Sequence, residues 1–284
     1  EKTLKKFEAV QMLRSSARED TILFEEYEVV YEDLQEVINS FISGYTHPEE
    51  YKSVYVYDGQ EQIILRKAAL TGLASDICDK VFSATPIINN EAINKDVITS
   101  VANTSRNKII AGLLRNTLEP NLGLTGTGQE VSIMRSTLLR KGVLIDDESG
   151  ARINLSPNDD KMKAVLDVIV SFVTDAKKNG RVSFAQLYER LTSSQYHIGL
   201  RNGVIPIYIA AVFHEYHEDI ILENDFGQLP LTADTLQAIN SAPGEYNLEY
   251  LDWNPEKQQF VANIANMFSQ YVIDAERNLS AYEY

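Results

Sequence analysis

The sequence predicts a mainly α-helical protein with a minor β component. Two observations support this fold class. Apolar residues recur three and four positions apart through most of the chain, which is typical of helices with one buried face. From residue 158 onward, the predicted elements follow the order helix, short strand, helix, turn, helix, hairpin, which is typical of winged-helix domains. We therefore predict a helical domain with one β-hairpin over residues 1–157, followed by a winged-helix-type domain over residues 158–284.

Patterns in the first predicted domain are mostly helical. Apolar residues at three- and four-residue spacing predict a long helix over residues 21–44, after a short one over 9–17. Alternating apolar residues around Asp58 and Gly59 predict a β-hairpin near residues 53–65, because Asp-Gly favours a tight hairpin turn. Further helices are predicted over residues 67–82, 99–116 and 129–141.

The second predicted domain begins after two polar turns, residues 146–150 and 156–160, which favour a domain boundary there. The winged-helix elements follow, and a strand and a helix close the chain. The predicted elements are a helix over 160–178, a strand at Val182, helices over 184–191 and 203–216, a hairpin over 220–231, a helix over 232–240, a strand over 246–250 and a helix over 255–271.

Composition limits the class of protein. The chain has 284 residues, 44% of them hydrophobic, which is enough to build two cores. A single cysteine excludes a disulfide framework and favours a reducing, cytoplasmic compartment. No apolar run is long enough to span a membrane, so we expect no membrane partner. The chain begins at Glu1 without a methionine or an apolar signal segment, which suggests a fragment of a longer protein.

The charge balance is acidic. The formal net charge is −15, divided as −6 over residues 1–157 and −9 over residues 158–284. An acidic surface repels phosphate at long range, so broad non-specific binding to nucleic acid is disfavoured, although a local basic face remains open.

Four features contain residue types found in catalytic, cofactor or metal sites, and none is predicted to form such a site. The glycine-rich segment 122–128 lacks the Gly-Lys-Ser/Thr ending of a phosphate-binding loop, so a linker or helix-capping loop is expected. His214 and His217 are three residues apart, unlike the zinc-protease pair, and indicate a solvated helix end. Cys78 has acidic neighbours and is expected to be a small buried residue. The acidic turn around Asp147 lacks a partner base, which leaves a hydrolase as a remote alternative.

The winged-helix interpretation raises the question of DNA binding. The third helix of that unit is apolar on nearly every side over residues 204–213, so we expect it to be buried or packed on a partner. Candidate nucleic-acid contacts lie at its start and at the end of the first helix of the unit. These candidates are Lys177, Lys178, Arg181, Arg201 and Asn202.

Another basic set lies in the first predicted domain, where a solvated face is expected and a single basic patch is the alternative. Its members are Arg106, Lys108, Arg115, Arg135, Arg140 and Lys141.

Three segments, together with the hairpin that ends at Leu231-Thr232, resemble a family of large bacterial P-loop ATPases of phage-defence islands, such as those of BREX systems, over roughly residues 55–260. They are the run Ile77-Cys78-Asp79-Lys80-Val81-Phe82-Ser83-Ala84-Thr85-Pro86-Ile87-Ile88-Asn89-Asn90-Glu91-Ala92-Ile93-Asn94-Lys95, the triplet Ser105-Arg106-Asn107, and the run Gly199-Leu200-Arg201-Asn202-Gly203-Val204-Ile205-Pro206-Ile207-Tyr208. The resemblance implies a region C-terminal to an AAA+-like module that binds ATP and magnesium, within an antiviral complex that works on DNA.

The nucleotide-binding motifs of that family do not occur in this sequence, so no cofactor and no catalytic residue are carried over. We therefore expect a non-catalytic regulatory, scaffolding or DNA-engaging region of a defence ATPase. Its partners would be other domains or subunits of the complex and double-stranded DNA. The alternative is a stand-alone winged-helix module that binds nucleic acid, as in transcription regulators.

Overall fold

A computed structural model describes residues 1–50, 53–251 and 255–271 of the chain. It is mainly helical, with small antiparallel sheets, as the sequence predicts. Internal contacts divide the chain into two compact units, Glu1–Lys80 and Val81–Tyr284, and residues 272–284 of the second lie outside the described ranges. No helix of the described residues is both long and apolar enough to cross a membrane.

A helical hairpin begins the first unit. Helix α1 (Lys2–Ser16) packs against helix α2 (Thr21–Thr46), which starts where Asp20 accepts a hydrogen bond from the backbone N–H of Leu23 at 3.1 Å. Gly44 does not end α2 as predicted; the helix continues to Thr46, just before Pro48. Over their described residues, neither α1 nor α2 contains a buried side chain.

The predicted hairpin of the first unit is confirmed. Strands β1 (Tyr55–Tyr57) and β2 (Gln60–Gln62) pair antiparallel around Asp58 and Gly59, whose φ angles are 53° and 73°. Positive φ at both central residues is the tight turn that Asp-Gly favours. Helix α3 (Lys67–Val81) follows.

One expectation for α3 is wrong. Cys78 was expected to be a small buried residue, but its side chain is exposed to solvent. The physical reason is that no residue of this helix is buried within the described chain, so position 78 has no apolar interior to face.

The second unit begins with two helical segments and a hairpin. Helix α4 (Ser100–Leu113) is capped by Thr99, and helix α5 (Gln129–Met134) continues into a π-helical turn over Arg135–Leu139. Strands β3 (Leu144–Asp147) and β4 (Gly150–Ile153) then pair antiparallel. The acidic turn that suggested a domain boundary is the turn of this hairpin.

The remaining elements follow the predicted order closely. They are α6 (Asp160–Asn179), β5 (Val182–Ser183), α7 (Phe184–Thr192), α8 (Ile205–Tyr216), β6 (Ile220–Asn224), β7 (Gly227–Leu229), α9 (Ala233–Ser241), β8 (Asn247–Tyr250) and α10 (Pro255–Phe268). Strands β5, β8, β6 and β7 form one sheet in that spatial order, with every neighbouring pair antiparallel.

Helix α8 lies at the centre of the core of the second unit. Every residue from Ile205 to Phe213 is buried, which confirms the burial that its apolar sequence predicts. Ile109 and Ile110 of α4 and Ile133 of α5 belong to the same core cluster as α8. Residues on both sides of the predicted boundary after residue 157 therefore share one core, and the compact units divide at Lys80 and Val81 instead.

Candidate functional site

The three segments that carry the family resemblance meet in the second unit. The chain from Val81, the last residue of α3, to Ile98 packs along residues 197–203, which connect α7 to α8. The hydrogen bonds between them include Ala84 N–H to His197 O at 2.9 Å, Gly199 N–H to Thr85 Oγ1 at 2.7 Å, and Gly203 N–H to Lys95 O at 2.9 Å. We call residues 81–98, 105–107 and 197–203 the junction.

Two glycines of the junction allow a very close approach of backbones. A Cβ atom built on Gly203 would lie 2.7 Å from Lys95 O and closer still to Ile93 O. A Cβ atom on Gly199 would lie 2.7 Å from the ring of Phe82. Both positions therefore require glycine for space rather than for an unusual backbone angle.

An aspartate of the junction binds two of the predicted nucleic-acid contacts. Arg201 Nη1 donates to Asp96 Oδ2 at 2.8 Å, and the backbone N–H of Asn202 donates to Asp96 Oδ1 at 3.2 Å. The ion pair is solvent-exposed and adds little stability by itself. The carboxylate beside the guanidinium also offsets part of the positive charge that would attract a phosphate.

A buried arginine closes the junction from α4. Arg106 is 3% exposed; its Nη1 donates to Gly203 O at 3.3 Å and its Nη2 to Asn103 Oδ1 at 2.6 Å. Its Nε has no hydrogen-bond partner among the described residues. Burial lowers the pKa of the guanidinium, since desolvation disfavours the charged form. The solvated face expected for the basic set is thus wrong for Arg106, which turns into the core to reach the start of α8.

Amide groups extend this network from α4 to α9. Gln237 Oε1 accepts hydrogen bonds from Asn103 Nδ2 at 2.8 Å and from Asn107 Nδ2 at 2.9 Å. On the neighbouring helix α7, the hydroxyl of Tyr188 donates to Asn240 Oδ1 at 2.9 Å. Burial raises the pKa of Tyr188, and the nearby charge of Arg106 offsets only part of that rise. The side chains of this network form hydrogen bonds between helices. They join α4 to α9 and α7 to α9.

The other predicted nucleic-acid contacts lie near the sheet, at the end of α6. Lys177 Nζ stands 4.8 Å from the ring centroid of Tyr250, a cation–π distance. Arg181 Nε forms an ion pair with Glu223 Oε1 of β6 at 2.7 Å. Lys178 is in the exposed last turn of α6. The five predicted residues thus occupy two places, the end of α6 and the junction, and four of them contact an aromatic ring or a carboxylate.

Three of the six cations of the basic set are paired with carboxylates. Lys108 pairs with Glu130 at 3.1 Å, Lys141 with Asp159 at 2.9 Å, and Arg115 with Glu119. Arg135 and Arg140 are exposed. Lys108, Arg115, Arg135 and Arg140 are thus solvent-exposed, as the sequence predicts, whereas Lys141 is half-buried.

The glycine-rich segment leads into α5, and a carboxylate already occupies that helix start. A Cβ atom on Gly128 would lie 2.9 Å from the carboxylate of Glu130, which folds back over the loop. The pKa of Glu130 is lowered by a hydrogen bond from its own backbone N–H and by Lys108. The arrangement fits the predicted helix-capping loop.

His214 in the last turn of α8 and His217 just after it both form hydrogen bonds with backbone carbonyls. His214 Nδ1 lies 2.8 Å from Leu113 O, which makes Nδ1 the donor, and burial lowers the pKa of this imidazole. His217 Nδ1 bonds His214 O at 2.7 Å. Both side chains are half-buried, so the end of α8 is less solvated than expected. Within the described ranges, no group of three or more His, Cys, Asp or Glu side chains could hold a metal ion.

Comparison with models of protein families, with curated proteins and with solved structures finds no match to this chain.

Proposed function

We propose that this chain is a non-catalytic scaffolding region of a larger bacterial ATPase of antiviral defence, contacting other domains or subunits in the cytoplasm. One observation carries the proposal. Arg106 and Arg201, which lie in the resembling segments, donate hydrogen bonds to the Gly203 carbonyl and to the neighbouring Asp96, and Asp96 also accepts from the Asn202 N–H. Residues used in this way fix the geometry of a module, which is what a scaffold requires.

ATP provides the first test of this proposal. The isolated chain is expected neither to bind labelled ATP saturably at micromolar concentration nor to release phosphate, because the P-loop and its lysine belong to the motor of the larger protein. Isothermal titration and a phosphate-release assay measure the two quantities. Saturable binding with turnover would overturn the non-catalytic role.

The alternative function is a winged-helix module that binds nucleic acid. The order of α6, β5, α7, α8, β6 and β7 favours a winged-helix interpretation, in which β8 adds a strand between β5 and β6. In winged-helix readers of DNA the third helix enters the major groove with polar residues outward. The residues of α8 from Ile205 to Phe213 are all buried, which favours the scaffolding role.

DNA binding is therefore expected to be weak or absent. Duplex DNA should not shift in a native gel with the isolated chain even at about 0.05 M salt, where phosphate contacts are strongest. The matched variant replaces Lys177, Lys178 and Arg181 with alanine and should behave identically. A salt-sensitive shift that this variant weakens at least about tenfold would give the alternative precedence.

A further inference from the structure

Helix α2 has an apolar stripe of six residues, of which four are exposed and two, Tyr27 and Leu34, are half-buried. Residues at alternating spacings of four and three, from Leu23 to Phe41, form the period of 3.5 that helices use to pack side by side. Phe41 is 67% exposed and Val37 is 56% exposed, although both lie on this stripe. We call the following residues the α2 stripe: Leu23, Tyr27, Val30, Leu34, Val37 and Phe41.

The neighbouring face of α2 is already occupied by α1. The rings of Phe7 and Tyr31 stack with centroids 4.7 Å apart, and Arg14 pairs with Glu28 and lies 4.7 Å from the ring centroid of Tyr31. The residues of α2 in these contacts, Glu28 and Tyr31, are not members of the α2 stripe. Helix α1 therefore packs on the face of α2 next to the stripe. A hairpin of two helices without a buried residue is marginal alone, so a further packing partner would stabilise it.

Charge identifies the chemistry of that partner. Helix α2 contains six carboxylates, Glu25, Glu26, Glu28, Glu32, Asp33 and Glu36, and its sequence contains no lysine or arginine. Glu26 and Asp33 each precede a stripe residue and border the stripe on the side away from α1. Two copies of α2 packed face to face would bring these carboxylates together, which disfavours a second copy of the chain.

We propose that the α2 stripe is a docking surface for an amphipathic helix of a partner protein whose apolar face is flanked by lysine or arginine. The apolar residues of that helix cover Val30, Val37 and Phe41, and its cations meet Glu26 and Asp33. This inference rests on the proposed scaffolding role, which needs a contact surface, and it names that surface.

Two synthetic helical peptides test the inference against the full chain. Both have leucines at spacings of three and four; the flanking positions are lysine in one and glutamate in the other. Fluorescence anisotropy is expected to show at least about tenfold tighter binding of the lysine peptide, with weakening between about 0.05 and about 0.5 M salt. Val37→Asp should weaken this binding about tenfold or more, because it places a charge in the apolar contact.

Val101→Asp is the matched control, since Val101 is also an exposed helical valine, 63% exposed on α4, and should leave peptide binding unchanged. Replacing both Glu26 and Asp33 with lysine should reverse the preference to the glutamate peptide. Equal binding of both peptides, binding of neither, or a dimer in light scattering that Val37→Asp dissociates would overturn the inference. ATP turnover would remove the scaffolding role without changing these peptide affinities, so the two failures are distinguishable.

Discussion

Gly203→Ala is expected to destabilise the second unit by about 3 kcal/mol or more, the largest effect of any single methyl group added to the junction. The added Cβ would meet two backbone carbonyl oxygens, those of Ile93 and Lys95, and backbone cannot move aside as a flexible side chain can. The hydrogen bond from Gly203 N–H to Lys95 O would be strained at the same time.

Thermal unfolding measures this effect. A loss of this size lowers the unfolding temperature by roughly 6–12 °C in a unit of about 200 residues. Gly244→Ala is the matched control, because a Cβ atom there meets nothing within 4 Å, and it should change stability by less than about 0.5 kcal/mol. Equal melting temperatures for the two variants would contradict the close approach at Gly203.

Arg106→Ala is expected to cost about 3–5 kcal/mol of unfolding free energy. It removes the hydrogen bonds to Gly203 O and Asn103 Oδ1 and leaves a cavity at a position that is 3% exposed. Arg106→Met should cost less, because methionine fills much of the volume and no charge remains to be desolvated. Arg106→Lys should be worse than methionine, since the ammonium keeps the buried charge and loses the planar donor geometry.

Chemical denaturation of the parent and the three Arg106 variants measures the order of their unfolding free energies. Arg140→Ala is the surface control and is expected to lie within about 0.5 kcal/mol of the parent. A lysine variant as stable as the parent would show that the paired guanidinium donors are not needed. In that case, the junction would depend on charge alone.

The local elements of the fold are predictable because their signals lie within a few residues of one another. The heptad spacing of α2, the Asp-Gly turn and the apolar run of α8 each identify their element correctly. Helices α6 and α7 begin at the predicted positions, Asp160 and Phe184. The hairpin of β3 and β4 was missed because its strands have four residues each and one of them ends in two aspartates.

The junction could not be assembled from the sequence. Arg106 and Gly203 are 97 residues apart in the chain, and no local pattern pairs them. Its segments were recognisable only as motifs, and Asp96 received no role. The spacing of Asn103 and Asn107 could have indicated part of this network. They are four residues apart on α4 and therefore lie on the same face, where both donate to Gln237. The division of the chain at Lys80 was hidden for the same reason, since α4 and α5 reach the core through distant contacts.

The central position of α8 also affects the order in which the chain can fold during synthesis. Residues 81–113 leave the ribosome long before α8 exists, and the apolar side of α4 that will cover it has no partner until then. Contacts across such long intervals form slowly, because closing a long loop costs entropy before any contact compensates for it. We therefore expect the side of α4 that packs on α8 to stay exposed to chaperones until the chain has passed α8 and α9, even after α4 has met α5.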